Sequence, residues 1–511
     1  MSTDSAQTWL GLDASPRTKW AVSIAFGAFA AWLVLYSTAT YGASASHFAM
    51  NNIGAAQGLL SGRGLSTNRG DPFVLWPPLM PALIAALKLG GLRYLDAARW
   101  LTIASAFVFV GLHARLLLEV ARSVWTAVAA SLLLIVSPQF LPITASVRSQ
   151  PLFLALTFAG SWALVCYLAT PRTRWLVALA LIGAALCLDR YDGVLNVAAF
   201  ALVLVLRPTA GTWPRRVRTA ALVCAVPALT ALAWIARNLS VTGSLSGQRP
   251  PTPAGGGIQQ LVDGWRTSTW WLVPWTDDAH IRTVIGIVLV GALALGCALR
   301  FVRREPARSR DALAVYTSFP IVYGGSLALI ASVLLIDMIG ERLLFPMLPF
   351  VLGLLLLSLE EFAGLAYARG RKLAAIPVGI GLLLVLLNLS SGIPETVREI
   401  ARMRVEGAGG IATPAFSGSP LAAWLREHPL EGAVYSNSPE FVMLFADRPT
   451  TPIEEAGLPP TEEALHAAPA RTWLVWLIRN EGERGRLTEL ESSTALERIV
   501  TLPDAVILQL R

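Results

Sequence analysis

The chain alternates long apolar runs with short polar loops rich in arginine. A helix needs roughly 20 mainly apolar residues to cross a hydrocarbon core. On that basis the runs predict eleven membrane helices, at about 20–41, 97–118, 124–143, 151–169, 175–188, 193–206, 219–236, 281–299, 313–336, 343–359 and 373–391. A further apolar stretch, PFVLWPPLMPALIAALKLGG at 72–91, carries Pro72, Pro77, Pro78 and Pro81. Proline lacks the amide donor and clashes with the preceding turn, so an uninterrupted helix there starts only after the prolines and is too short to span.

Charge sets the expected orientation. With the N-terminus in the cytoplasm and 72–91 left on the outer side, every strongly basic loop falls inside: Arg115 and Arg122; Arg172 and Arg174; Arg207, Arg215, Arg216 and Arg218; Arg300, Arg303, Arg304, Arg308 and Arg310; Arg369, Arg371 and Lys372. Counting 72–91 as a span moves all five groups outside, against the positive-inside rule. The stretch therefore reads as a juxtamembrane or re-entrant part of a long first outer loop, 42–96, where protein or water must cover its polar backbone. The loops 138–150 and 237–280, the turns 189–192 and 337–342, and everything after about 392 fall on the same outer side.

Composition agrees with a polytopic membrane protein. Of 511 residues, 54% are hydrophobic and only 14% charged, against about 25% charged in soluble chains. The net charge of +8 resides mostly in the short inner loops, so it gives no reason to expect a nucleic-acid partner. The cysteines, Cys166, Cys187, Cys224 and Cys297, lie in apolar runs with no metal-binding or disulfide spacing. The first apolar run, preceded by Arg17 and Lys19, reads as an uncleaved span.

After residue 392 the pattern changes. PETVREIARMRVEG (394–407) has the charge pattern of an amphipathic helix leaving the membrane. GAVYSNSPEFVMLFADRPTTPI reads as strand, polar turn and helix, and ARTWLVWLIRNE and AVILQLR read as strands. The expected organisation is a transmembrane domain at 1–392 and a small extracytoplasmic α/β domain at 393–511, without a catalytic triad or phosphate loop.

Polar residues collect on the expected outer face. Arg148 lies in the second outer loop, Arg190 begins the turn DRYD, and Arg237 and Asn238 close the seventh span. Arg249 follows in the next loop, and Glu341 and Arg342 open the tenth span. A snorkelling anchor explains a single arginine at a helix end. Several sharing one poorly hydrated face repel one another unless an anion joins them, and the planar guanidinium suits phosphate. Trp76, Tyr191, Trp265, Trp270, Trp271 and Trp275 lie nearby in sequence, as an interfacial belt or as faces for a sugar. Together these features suggest an outer-face, membrane-level site for a lipid phosphate. No P-loop or Rossmann fingerprint points to a nucleotide.

Four stretches carry a family resemblance. AAQGLLSGRGLSTNRGDPFVLWPPLMPALIAAL (55–87) is similar to a first outer loop with an LL-x-G-x-G helix end and a PPL-x-P segment. LCLDRYDG (186–193) is similar to an L-x-R-Y-x-G turn, WIARNLSVTGSLSGQR to a W-x-x-R-N…G-x-L-x-G-x-R segment, and ERLLFPMLP to an x-R-Y-x-x-P-x-x-P segment. In this order they resemble the polyprenyl-phosphate-sugar-dependent GT-C glycosyltransferases, which include protein mannosyltransferases and lipid A aminoarabinose transferases. The resemblance implies a GT-C-like fold and inverting sugar transfer at the outer face of the inner or plasma membrane. The partners it implies are a polyprenyl-phosphate-linked sugar donor, membrane lipids and an envelope acceptor.

It also implies site residues. Arg190, Arg237, Arg249 and Arg342 would bind the donor phosphate, and Trp76, Tyr191, Asn51 and Asn52 would contact sugar or lipid. The family's usual first-loop acid is absent from SASHFAMNNIGAAQGLL, and the second-loop acid is replaced by Gln150 in VRSQPLF. An amide cannot act as a general base at neutral pH, which leaves Asp71 or His47 as the candidate catalytic base. No metal cluster is visible, although a divalent cation at the phosphate stays open. Two other readings stand beside the transferase: a non-catalytic lipid-phosphate-binding scaffold on the same fold, motivated by the missing acids, and a transporter. The transporter is disfavoured because no span carries a charge near its middle.

Overall fold

A computed structural model describes residues 15–67, 70–247, 257–303, 306–333, 340–453, 461–478 and 480–511. The chain divides into two compact units. One comprises Met1–Tyr36, Ile103–Thr144 and Ser149–Ile400; the other comprises Ser37–Thr102, Ala145–Arg148 and Ala401–Arg511.

The first unit is a helical bundle. Among the described residues of the chain, eight helices are long and apolar enough to cross a membrane: Pro16–Ser37, Tyr94–Val120, Ser149–Ala169, Trp213–Thr242, Ala279–Val302, Ala307–Leu329, Glu341–Arg369 and Lys372–Val405. The other expected spans fall on shorter helices, Val124–Ile135, Thr173–Asp189 and Gly193–Leu206. The run at 124–143 is interrupted, because Pro138 stops the Val124–Ile135 helix and a separate turn, Phe140–Thr144, follows. The last span and the charged segment after it form one helix, Arg371–Val405, which accommodates Pro377 and Pro394. The expected span at 313–336 is helical to Val333; residues 334–336 lie outside the described residues.

Helix Thr173–Asp189 packs against Ser149–Ala169 and Trp213–Thr242, Gly193–Leu206 packs against Ala307–Val333, and Leu348–Arg369 packs against Ala279–Val302. Aromatic rings fill the centre, where Phe158 stacks on Phe350 at 4.7 Å and Phe319 on Tyr323 at 4.9 Å. Outward-facing apolar residues such as Leu229, Ile287 and Leu383 remain exposed, as expected of helices facing lipid.

One end of this bundle is tied by carboxylates. Glu119 pairs with Arg308 at 3.0 Å and also meets Arg115 and Lys19. Glu360 pairs with Arg300 at 3.1 Å, Glu361 bridges Arg122 (2.9 Å) and Arg303 (2.8 Å), and Asp311 takes Arg207 at 2.7 Å. These arginines belong to the loops expected to be cytoplasmic, so part of their charge is neutralised within the protein.

The second unit joins residues 37–102 to the C-terminal sequence. Helix His47–Leu60 packs on Leu79–Leu89, which begins directly after Pro77 and Pro78 and takes Pro81 into its first turn, earlier than the expected start after all four prolines, because a proline there costs no intrahelical hydrogen bond. The sheet contains β1 (Val434–Ser436), β2 (Thr451–Pro452), β3 (Trp473–Leu477), β4 (Leu496–Thr501) and β5 (Ala505–Leu510), in the order β2-β1-β3-β5-β4. The pairings β2-β1 and β1-β3 are parallel, and β3-β5 and β5-β4 are antiparallel. The two-residue period of β3 sends Leu474 and Trp476 into one core with Leu487 and Leu490, and Val475 and Leu477 into another. That second core also contains Ala49, Ile53 and Ile84 of the segment expected to be the first outer loop, together with Leu421, Val442 and Ile507. The small α/β sheet expected at the C-terminus is therefore present, and one of its faces is buried by the first-loop helices. Asn437 closes the gap between the ends of β1 and β3, accepting from the Leu477 N–H and donating to its carbonyl, both at 2.9 Å. That crevice, a usual ligand position in open α/β sheets, is filled by a side chain.

Candidate functional site

In the bundle, the candidate site is built at the end opposite the carboxylate ties. The Thr173–Asp189 helix ends and Arg190 takes an extended conformation (φ −147°, ψ 146°), after which Gly193 starts the next helix. A Cβ on Gly193 would lie 2.2 Å from the Leu186 carbonyl, so glycine is required for this close return. The tight turn presents Arg190, Tyr191 and Asp192 together.

Arg190 holds Asp192 in a two-pronged pair, Nε to Oδ1 and Nη2 to Oδ2, both at 2.8 Å. Burial alone would lower the arginine's pKa; the Asp192 carboxylate outweighs it, and the pKa is raised. The guanidinium also lies 5.2 Å from the Phe153 ring centre. Tyr323, from the middle of helix Ala307–Val333, has its Oη 3.0 Å from both Asp192 Oδ2 and the Leu343 carbonyl. Asp192 occupies the N-cap position of Gly193–Leu206, yet its side chain caps no N–H of that helix. Its carboxylate serves Arg190 and Tyr323 instead. Asp189 is buried, and among the described residues neither carboxylate oxygen has a hydrogen-bond partner.

Tyr191 turns the other way. Its hydroxyl accepts from Trp234 Nε1 (3.1 Å) and Asn238 Nδ2 (3.0 Å). Arg237 donates to Asn238 Oδ1 at 3.2 Å and lies 4.9 Å from the Trp234 ring centre. Helix Trp213–Thr242 continues past the expected end of its span to a left-handed Gly243, which places Arg237 and Asn238 inside its last turns. Arg190, Tyr191 and Arg237 therefore share one neighbourhood. Arg342 is exposed on the short helix Glu341–Leu344, beside the Leu343 carbonyl that faces Tyr323. Arg249 lies outside the described residues.

The remaining candidates are in the second unit. Helix His47–Leu60 opens at His47, whose side chain is outside the described residues. Asn51 and Asn52 are buried on the same helix, and Asn52 Nδ2 donates to the Phe48 carbonyl at 2.8 Å. Asp71 is exposed where the chain folds back on itself; its carbonyl accepts from Thr67 N–H at 2.7 Å, and Ser66 bridges Pro72. Trp76 is half-buried, edge-on to Phe48 at 4.5 Å and 6.1 Å from Phe73. Gln150, at the place where the resemblance calls for an acid, belongs to the bundle; it is buried, and its Oε1 has no hydrogen-bond partner among the described residues. Among the described residues no group of three or more His, Cys, Asp or Glu side chains is placed to hold a metal.

Sequence reasoning missed Tyr323. Nothing in an apolar run distinguishes a tyrosine that reaches a polar turn from one that fills the core.

The long apolar helices, the covered arginine turn and the C-terminal sheet define a multi-pass membrane protein of the GT-C architecture, as the resemblance implied. No protein-family model and no curated protein matches the sequence. Among solved structures the chain is similar to ArnT from Cupriavidus metallidurans in the apo state, at 12% identity over 97% of this chain and 98% of that one, with a TM-score of 0.57. It is also similar to the same protein bound to undecaprenyl phosphate, at 14% identity over 96% and 98%, with a TM-score of 0.53. A third likeness is to the arabinofuranosyltransferase AftD from Mycobacteria, at 16% identity and a TM-score of 0.51; it covers 97% of this chain and 42% of that longer one. At these identities what is shared is the fold.

Proposed function

We propose that this chain is a membrane glycosyltransferase that moves a sugar from a polyprenyl-phosphate donor to an envelope acceptor at the outer face of the cytoplasmic membrane. The observation that carries the reading is the half-buried, fork-engaged Arg190 at a helix junction, on a fold that in ArnT binds undecaprenyl phosphate. In this reading Arg190, Arg237, Arg249 and Arg342 hold the lipid phosphate, and Tyr191, Trp76, Asn51 and Asn52 shape the space for sugar and lipid. An acceptor hydroxyl attacks the anomeric carbon, and the bond from that carbon to the phosphate oxygen breaks. The electron pair leaves on the lipid phosphate, where arginine stabilises it, and a base takes the hydroxyl proton. Asp71 is assigned as that base because its carboxylate is exposed in the first outer loop, with His47 the alternative.

The scaffold reading keeps one specific observation in its favour. Neither place where the resemblance expects an acid holds a carboxylate: the first region offers His47, Asn51 and Asn52, the second holds Gln150, and Asn51, Asn52 and Gln150 are buried. The test is transfer or hydrolysis by purified protein in nanodiscs, supplied with a panel of polyprenyl-phosphate sugars and envelope acceptors. Turnover that falls with Arg190→Ala and Asp71→Asn supports the transferase. Binding of polyprenyl phosphate without turnover of any donor gives the scaffold, and absence of both overturns the proposal.

A further inference from the structure

We infer that Arg190 and Tyr323 form an anion seat that the chain's own Asp192 carboxylate fills, and that the phosphate of a prenyl-type lipid displaces it. The inference deepens the reading above and rests on it.

Three donors converge on one carboxylate. Arg190 Nε and Nη2 meet its two oxygens at 2.8 Å, and Tyr323 Oη lies 3.0 Å from one of them. A carboxylate and a phosphate both offer the pair of oxygens that a guanidinium fork accepts side by side. Asp192 holds this place instead of the N-cap role its position offers, where an aspartate normally accepts from its own helix. The occupant is therefore tethered by a single residue to the arginine it blocks.

The arrangement also resolves an electrostatic conflict. A guanidinium largely withdrawn from water is costly without a counter-charge, and here an internal anion supplies one. Displacement then exchanges one ion pair for another, so the net affinity is a difference between two similar terms. Tyr323 is suited to that exchange. It has one proton and two acceptors at equal distance, Asp192 Oδ2 and the Leu343 carbonyl, so it can turn to either without being left unpaired. Asp189, which shares the turn, takes no part in the pair and leaves the seat to one carboxylate.

The test is equilibrium binding of farnesyl phosphate to the full chain in nanodiscs, with farnesol as the uncharged control. Asp192→Asn removes the competing charge and is expected to tighten farnesyl phosphate binding about tenfold, with farnesol unchanged. Adding Tyr323→Phe to that variant is expected to return part of the gain. Asp192→Ser, whose hydroxyl can cap the helix, guards against a folding defect specific to asparagine and should act in the same direction. Weaker or unchanged binding by folded Asp192→Asn and Asp192→Ser overturns the inference, as does misfolding of both. Loss of binding in Arg190→Ala with no gain in the Asp192 variants leaves the lipid-phosphate reading standing and removes only the seat. No binding by wild type and Asp192 variants alike removes both.

Discussion

Lys88 and Asp447, far apart in sequence, form a side-chain ion pair, and the same Asp447 carboxylate accepts the Tyr94 N–H at 3.0 Å. One residue of the C-terminal sequence thus caps the helix that begins at Tyr94. Asp447 does so from a positive φ of 56°, a conformation that aspartate tolerates better than most residues. Asp447→Ala is expected to destabilise the second unit by about 1 to 2 kcal/mol, through the lost cap and a poorer fit at positive φ. Asp447→Asn should lose less, because it keeps an acceptor. Thermal unfolding together with hydrogen exchange at 79–102 checks this; equal stability of wild type and Asp447→Ala would refute it.

The shared core gives a second expectation. Phe441 is buried, with Phe445 at 4.6 Å and Phe416 at 5.8 Å, in the cluster that includes Ala49 and Ile53. Phe441→Ala should cost about 3 to 5 kcal/mol by removing a large buried ring. Because the cluster is common to both segments, hydrogen-exchange protection should fall in helix His47–Leu60 as well as in the sheet. A loss confined to the C-terminal residues would mean that the two segments unfold independently.

At the carboxylate-tied end of the bundle, Glu360 also accepts from the Arg122 and Ser123 N–H groups, at 3.1 and 2.8 Å, and from the Thr126 hydroxyl at 3.0 Å. Glu360→Ala leaves Arg300 buried without its partner and should cost about 3 to 5 kcal/mol. Glu360→Gln keeps an acceptor for the N–H groups and should lie between. Melting temperature in detergent is the measurement, and an alanine variant as stable as wild type would show that the pair contributes nothing.

For catalysis, replacement of the true base should lower the transfer rate by about 10²- to 10⁴-fold with little change in donor affinity. Asp71→Asn and His47→Gln, assayed separately for turnover and for farnesyl phosphate binding, identify which residue it is. If both variants retain full turnover, neither is the base.

Much of the architecture was legible in the sequence because membrane insertion imposes a simple constraint. Most long apolar runs became helices, since lipid offers the backbone no other partner, and the exception at 124–143 breaks at Pro138. The apolar run Trp473–Leu477 is an equally local signal, and a strand stands on it, whereas the helix after Pro77 and Pro78 starts at Leu79, ahead of the expected point beyond Pro81. The pairing of Arg190 was not legible. DRYD offers the arginine two aspartates at short range, and only the turn imposed by Gly193 brings Asp192 to it and leaves Asp189 apart. Tyr323 reaches Asp192, and Leu343 reaches Tyr323, from distant parts of the chain, and Leu421, Val442 and Ile507 join a core begun by Ala49 and Ile53 in the same way. Apolar length and proline chemistry are read residue by residue, so the sequence by itself determined the helices and strands. Which charges meet, and which loop shares a core with the sheet, depends on packing between remote segments, and only the tertiary structure decided that.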